Sequence, residues 1–324
     1  MTDPVEVYCS VVSPMFNEEA NIASTVNTIE QVMSRTGKPW EMILVNDGST
    51  DNTEEAARRI CREKPFARLV SYTPNRGRGK ALRTGFAEAR GKYVITIESD
   101  LSWDASLILR MLEILEANES DMVLASPYVR GGTTEGVSAG RLLISRLGNL
   151  LLSFVIPGNF QMVTQMFRAY KREVIDALEL ESDDKEIHLE ILSKALAVGY
   201  RAKEIPAVLH SRKSGKSKFK LGKTTISHLA FSYFEKPLFL LGLTGLAFLA
   251  VAVVIGIHLL FEFSRGKLNP DRPLMTLLVI LMIGGLQFLS LGLVGTQIVQ
   301  LRKEIYRIQM KHRMLEREIS RIQR

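Results

Sequence analysis

The chain has 324 residues, 46% of them hydrophobic, with 42 Lys and Arg against 35 Asp and Glu and two cysteines. That length allows about two domains, and Cys9 and Cys61 are too few for a disulfide framework or a zinc site, so both are expected as reduced thiols. The net charge of +7 does not read as a nucleic-acid footprint. Up to Val198 there are 22 basic and 28 acidic residues, whereas Gly199 to Pro237 carries 9 against 2 and Arg302 to Arg324 carries 8 against 3, so the basic residues flank two apolar segments.

Val5 to Val12 predicts a first strand, ended by the run from Ser13 to Glu19 before a helix to about Ser34. Glu41 to Val45 predicts a second, closing in Asn46 to Thr53, where Gly48 permits a tight turn and hydroxyl and acid side chains can cap the next helix. A third, Ala67 to Tyr72, leads through Asn75 to Ala81 into a helix to Ala89. Gly77 and Gly79 match neither a Walker loop nor a Rossmann fingerprint. Tyr93, Val94, Ile95, Thr96 and Ile97 are uncharged and β-branched or aromatic, which predicts a strand buried on both faces. It stops at Glu98 and Asp100, and a helix from Ala105 to Ala117 and a strand from Asp121 to Ala125 follow. The alternation predicts an α/β fold with a mainly parallel, doubly wound sheet.

Three strand ends therefore carry Asn17 and Glu18, Asp47, and Glu98-Ser99-Asp100, at the edge where such sheets bind ligands. Side chains two apart on an extended segment point the same way, so Glu98 and Asp100 are placed to grip one divalent cation. Hard oxygens suit Mg²⁺ or Mn²⁺, with substrate phosphates completing the shell. The same residues also read as a strand followed by a solvated acidic helix start, with Asp104 as N-cap of Ala105 to Ala117. Farther on, Glu186 to Val198 predicts a helix whose Glu190 faces either the site or solvent.

No charged residue occurs from Pro237 to Phe261 or from Leu274 to Leu301. Each stretch exceeds the roughly 20 residues needed to cross about 30 Å of hydrocarbon, so both predict transmembrane helices. No apolar run near Met1 resembles a signal peptide, and the first 236 residues are expected to stay where they are made. The flanking positive charge places both termini in the cytoplasm and the link from Glu262 to Pro273 outside. Arg212, Lys213, Lys216, Lys218, Lys220 and Lys223 precede Phe231, Tyr233 and Phe234, a basic and aromatic juxtamembrane pattern suited to anionic lipid heads. His258, inside the first span, is assigned to helix packing near one interface. Beyond the second span Ile298, Leu301, Ile305, Ile308, His312, Leu315, Ile319 and Ile322 form a heptad seam. This coiled-coil tail is expected either to join copies into a homo-oligomer or to pack back on its own globular domain.

The segments VVSPMFNEE (11 to 19), ILVNDGSTDNT (43 to 53), NRGRGKALRTGF (75 to 86), ESDLSW (98 to 103), SPYVRGG (126 to 132), FRAYKREVI (167 to 175) and RKSGKSKF (212 to 219) occur in this order. Together they resemble family 2 glycosyltransferases of the GT-A fold, in the branch that makes lipid-linked sugar donors on dolichyl or polyprenyl phosphate. One part of that branch also carries a membrane hairpin. The resemblance implies a cytosolic catalytic domain over residues 1–220, an amphipathic juxtamembrane segment over 221–236, two spans within 237–301 and a helical tail over 302–324. It implies that Pro14, Phe16, Asn17, Glu18, Asp47 and Lys80 take the nucleotide, and that Glu98 and Asp100 take the metal and the donor diphosphate. Arg141, Arg212 and Lys218 are implied near the acceptor phosphate or the donor diphosphate.

The implied reaction is attack by a polyprenyl or dolichyl phosphate oxygen on the anomeric carbon of a UDP- or GDP-sugar, with inversion, at a membrane lipid surface. A phosphate is ionised near neutral pH and needs no strong general base, so the demand falls on stabilising the leaving diphosphate. The chain departs from the family at Asn46, where a first aspartate is usual, and at Glu98, where the acid-x-acid element usually opens with aspartate. It also has Ser126-Pro127-Tyr128 for Ser-Arg-Tyr, and Gln161 to Met166 where an acid and a Ser-Gly pair are frequent. These departures keep open a second reading, a membrane-tethered sugar-nucleotide-binding scaffold without turnover. A processive polysaccharide synthase fits less well: two spans are few for a polymer channel, and no Gln-x-x-Arg-Trp element is present.

Overall fold

Uncharged β-branched runs and amphipathic helices alternate in a computed structural model that describes residues 6–100, 102–136, 140, 145, 149, 156, 158–210, 237–266 and 273–322. The first half runs β1 (Cys9–Met15), α1 (Glu19–Met33), β2 (Trp40–Asp47), α2 (Thr53–Glu63), β3 (Ala67–Tyr72), α3 (Arg78–Glu88), β4 (Tyr93–Thr96), α4 (Leu107–Glu116) and β5 (Met122–Ser126). After it come β6 (Thr133–Glu135), β7 (Arg168–Lys171), α5 (Arg172–Ala177), α6 (Ile187–Val198), β8 (Ala202–Pro206) and β9 (Val208–His210). Seven strands make one sheet in the order β3-β2-β1-β4-β7-β5-β8, and β6 pairs with β9 in a second, two-stranded one.

The sheet is mainly parallel, as the alternation predicts, with one exception. β7 lies antiparallel between β4 and β5, a long-range insertion that the order of elements does not announce. Helices cover both faces, which is why β1 is buried from Cys9 to Ser13 whichever way a side chain points. Ile22, Val26 and Ile29 of α1 and Ile108, Met111 and Leu112 of α4 belong to the same core cluster as Val11, Leu44 and Ile95. α3 comes close to the sheet because Gly85 has no side chain: a Cβ there would lie 2.3 Å from Val12 Cγ1 and 3.2 Å from Val45 Cγ2.

β1 extends through Pro14 to Met15, past the boundary read from the sequence. β4 pairs with β1 only as far as Val12, so the ladder toward β4 has already ended where proline cannot donate. Asn46 stands beside Met15 and Asp47 beside Tyr72, which brings the ends of β1, β2 and β3 into one row.

Two helices follow, α7 (Pro237–Ser264) and α8 (Pro273–Ile322). Both are long and apolar enough to cross a membrane, and only 17% and 11% of their most apolar stretches are buried, too little for core helices of a soluble domain. They pack through small residues: a Cβ on Gly245 would lie 2.7 Å from the Gly285 carbonyl oxygen, and one on Gly292 would lie 3.1 Å from Leu238 Cα. α8 runs unbroken from the second apolar stretch into the basic tail. The chain divides into two units, one of Thr225–Ile305 and one of the α/β part together with the helix end from Tyr306 onward. The juxtamembrane segment expected over 221–236 lies outside the described residues.

Candidate active site

The acid pair stands where β4 gives out. Ile97 N still donates to the Val12 carbonyl at 3.2 Å, and Ser99 is then bound inward. Its hydroxyl lies 2.7 Å from Ser13 Oγ and donates to the Pro14 carbonyl at 3.3 Å, while its own carbonyl accepts from Thr25 Oγ1 at 2.9 Å. With Ser99 anchored on β1 and α1, the chain turns at Ser99 and Asp100, and the Asp100 carboxylate stays near enough for its charge to act on Glu98. Asp100 is 3% exposed and accepts the Ser102 N–H at 3.1 Å. That loop is backed by the small sheet, since His210 N donates to the Ser102 carbonyl at 2.9 Å and Trp103 bridges Leu209.

Glu98 Oε2 is buried and has no hydrogen-bond partner. Burial pushes this carboxyl up to about 7, against the pull of the Arg78 guanidinium and with the push of the Asp100 carboxylate. A buried acid with an idle oxygen beside a second acid is a donor set that fits a hard divalent cation. Among the described residues no third His, Cys, Asp or Glu joins Glu98 and Asp100. Arg78, the first residue of α3, and the buried Arg168 are the cations whose charges couple to Glu98, and reading the sequence singles out Lys80 instead. Lys80 contributes its backbone, with N–H donating to the Asp183 carbonyl at 3.1 Å. The usable signal was Arg78 itself, between two glycines at a helix start.

The first two motif loops are stitched to each other. Asn17, in a left-handed conformation at φ +54°, accepts the Thr50 N–H at 2.8 Å and donates its own N–H to Ser49 Oγ at 3.0 Å. Glu18 N donates to Thr53 Oγ1 at 2.8 Å, and the Glu18 carboxylate accepts from Asn21 at 2.8 Å. Pro14 and Phe16, both half-buried, complete the β1 side of this edge. Asp47 is engaged by the loop after β3: its carboxylate accepts Asn75 Nδ2 at 2.8 Å, Arg76 N at 2.8 Å and Gly77 N at 3.0 Å. Gly48, at φ +64°, lets the two loops meet, because a Cβ there would lie 2.5 Å from Asn75 N.

Two of the departures from the family pattern, at Asn46 and at Gln161 to Met166, sit in defined local contacts. Asn46 Nδ2 donates to Glu54 Oε2 at 3.2 Å and Ser71 Oγ at 2.9 Å, so an aspartate here would meet a carboxylate. The segment from Gln161 to Met166 is held by Glu204 of β8, which accepts the N–H groups of Gln161 and Met162, both at 2.8 Å. Arg168, fully buried, donates to the carbonyls of Val163 at 2.5 Å, Gln165 at 3.0 Å and His188 at 2.7 Å. Burial, with the Arg168 and Arg78 charges, holds the His188 imidazole well below its ordinary value, so it is neutral near pH 7.

Glu190 faces neither solvent nor the acid pair. It is 8% exposed, pairs with Lys194 at 2.7 Å, and accepts the N–H groups of Glu181 and Ser182, each at 2.9 Å. The next carbonyl, of Asp183, accepts from Gly79 N at 2.8 Å and Lys80 N at 3.1 Å, capping the start of α3. Arg141, Arg212 and Lys218 lie outside the described residues.

A mainly parallel α/β sheet with an acid pair at its carboxyl edge, between loops that carry the first two motifs, is the arrangement of a nucleotide-sugar transferase. The Glycosyl transferase family 2 pattern matches residues 10–179, and the chain belongs to that family. It is similar over 92% of its length, at 28% identity, to the dodecaprenyl-phosphate galacturonate synthase of Rhizobium johnstonii, 90% of which is covered. The undecaprenyl-phosphate 4-deoxy-4-formamido-L-arabinose transferase of Pseudomonas fluorescens is 28% identical over 93% of this chain and 88% of that protein. The dolichol-phosphate mannosyltransferase of Pyrococcus furiosus is 29% identical over 69% of this chain and 62% of that protein. Among solved structures, glucosyl-3-phosphoglycerate synthase from Mycobacterium tuberculosis, in complex with Mn²⁺, uridine-diphosphate-glucose and phosphoglyceric acid, shares the fold with a TM-score of 0.53. That match is 21% identical over 70% of this chain and 79% of that one.

Proposed function

We propose that this glycosyltransferase moves a sugar, with inversion, from a UDP- or GDP-sugar to a polyprenyl phosphate at the cytoplasmic face of a membrane. The observation that carries the reading is the idle, buried Glu98 oxygen beside Asp100 at the carboxyl edge of the sheet. Support comes from the relatives, polyprenyl- or dolichyl-phosphate sugar transferases, two of them similar over more than nine tenths of this chain. When bound at Glu98 and Asp100, Mg²⁺ or Mn²⁺ supplies positive charge for the diphosphate that leaves. Arg78 offers a cation whose charge reaches Glu98. Asn17, Glu18 and Asp47 shape the nucleotide loops that include Pro14 and Phe16, and Lys80 sits at the start of α3. Arg141, Arg212 and Lys218 are assigned to the phosphates of acceptor or donor, and both termini to the cytoplasm by the flanking positive charge.

Two copies are proposed to meet along the tail of α8. Ile305, Ile308, Leu315 and Ile319 are each more than half exposed, and they repeat at heptad spacing. The scaffold reading draws no support from Asn46, whose amide is what Glu54 requires. The test is incubation of the full chain in membranes with radiolabelled UDP- and GDP-sugars and polyprenyl phosphate. A solvent-extractable labelled lipid from one donor is expected. No lipid product from any donor, with nucleotide binding intact, would overturn the proposal.

A further inference from the structure

Lys194 is enclosed on three sides. Its ammonium pairs with Glu190 at 2.7 Å, donates to the Glu179 carbonyl, and lies 4.8 Å from the ring centroid of Tyr306. Tyr306 opens the part of α8 that belongs to the α/β unit. One residue on, Arg307 Nε donates to the Ala197 carbonyl at 3.1 Å, one of the last carbonyls of α6, which have no partner within the helix. Two contacts of different kinds therefore seat the helix end on α6. Around α8, Tyr306 lies about 100° from Ile305 and about 160° from Ile308, and both isoleucines stay more than half exposed.

From Lys194 the contacts continue as far as the start of α3, where the charge of Arg78 acts on Glu98. Glu190 holds the N–H groups of Glu181 and Ser182. The adjoining Asp183 caps Gly79 and Lys80 through its carbonyl, and its carboxylate pairs with Arg83 and, at 3.6 Å, with Arg76. No side chain fits between these segments, since a Cβ on Gly79 would lie 2.3 Å from the Ser182 carbonyl oxygen. Arg78, whose charge acts on Glu98, stands between Gly77 and Gly79.

We propose that Tyr306 is a positioning residue of the donor site: by shielding Lys194 it keeps Glu190 clamped on the 179–184 segment, which in turn fixes the start of α3 and Arg78. This inference rests on the reading that Glu98 and Asp100 serve a nucleotide-diphosphate donor. The physical step is desolvation. Without the ring, water reaches the ammonium and competes for it, and an ion pair open to water holds its partner less firmly. The Glu181 and Ser182 amides then open more often.

The experiment compares the full chain with Tyr306→Leu, which keeps apolar bulk, and Tyr306→Phe, which keeps a ring face for the cation. Hydrogen exchange of residues 179–184 and 77–82 is read alongside transfer kinetics. Tyr306→Leu is expected to speed exchange in both segments and to raise the donor KM about two- to fivefold, the range of a cation–π contact at a partly exposed site. The kcat and the acceptor KM should not move, and Tyr306→Phe should match the parent. Unchanged exchange in Tyr306→Leu, or faster exchange with an unchanged donor KM, would overturn the inference. Should the parent chain make no lipid product from any donor, the functional reading fails by itself. Exchange and the Kd for UDP and GDP with Mn²⁺ then decide the coupling.

Discussion

Glu98 is a buried carboxyl held by backbone N–H groups, Met166 among them, with one oxygen, Oε2, left without a partner. A folded-state value near 7 lies above the ordinary glutamate range, so the folded chain binds a proton that the unfolded chain has released. Its contribution to stability is complete at acid pH and is lost as pH rises through about 7. For the metal-free protein, denaturation is expected to show a fall of about 2 kcal/mol between pH 5 and 8, allowing for solvent screening. Glu98→Gln should flatten that dependence, and Mn²⁺ should restore stability at pH 8 in the parent only. Asn46 makes a second case. Asn46→Asp sets a carboxylate 3.2 Å from Glu54 Oε2, and the loss should be about 1 to 3 kcal/mol by urea denaturation. Adding Glu54→Gln should recover most of it; no recovery would mean that Glu54 is not the reason for the amide.

At the level of elements, the strands were legible because buried parallel strands write themselves as uncharged β-branched runs. Ala67–Tyr72 falls where its composition puts it, and Tyr93 to Ile97 announces both the central strand and the acids beyond it. Asp104 is not the N-cap it reads as: the helix begins at Leu107 with Ser106 in the cap position, and Asp104 accepts the Ser106 N–H at 2.9 Å in the turn before it. What stayed illegible depends on contacts between distant segments. The 179–184 segment meets α3 about 100 residues away in sequence, so no local pattern marks Glu190 as its anchor or Arg78 as a charge acting on Glu98. β7 is similar: FRAY reads as a motif, but nothing local says that it runs antiparallel between β4 and β5. The close fit at α3 is testable. Gly79→Ala pushes a methyl into the Ser182 carbonyl and should lower transfer at least about tenfold while costing about 1 to 3 kcal/mol. Near-normal transfer by this variant would show that the two segments need not touch.

Over the whole molecule, charge and hydropathy divide the labour. An acidic α/β half carries the site, and two helices exposed along most of their length carry the apolar surface. A helix end leads back from the second of them to α6. That end offers two faces, one seated through Tyr306 and Arg307 and one apolar seam, so the two expectations for the tail are compatible. Ile308→Asp with Leu315→Asp should halve, or reduce further, the mass of the detergent-solubilised particle by light scattering, with lipid-product formation retained. An unchanged mass would remove the seam as the contact between copies. The central claim, that Glu98 and Asp100 hold a divalent cation for sugar transfer to a lipid phosphate, is met most directly by one assay. Labelled lipid product is measured for the parent chain with chelator, after Mn²⁺ is added back, and for Asp100→Asn. The account predicts loss of product in chelator, recovery with Mn²⁺, and at least about a hundredfold loss in Asp100→Asn; full turnover in chelator, or by Asp100→Asn, would contradict it.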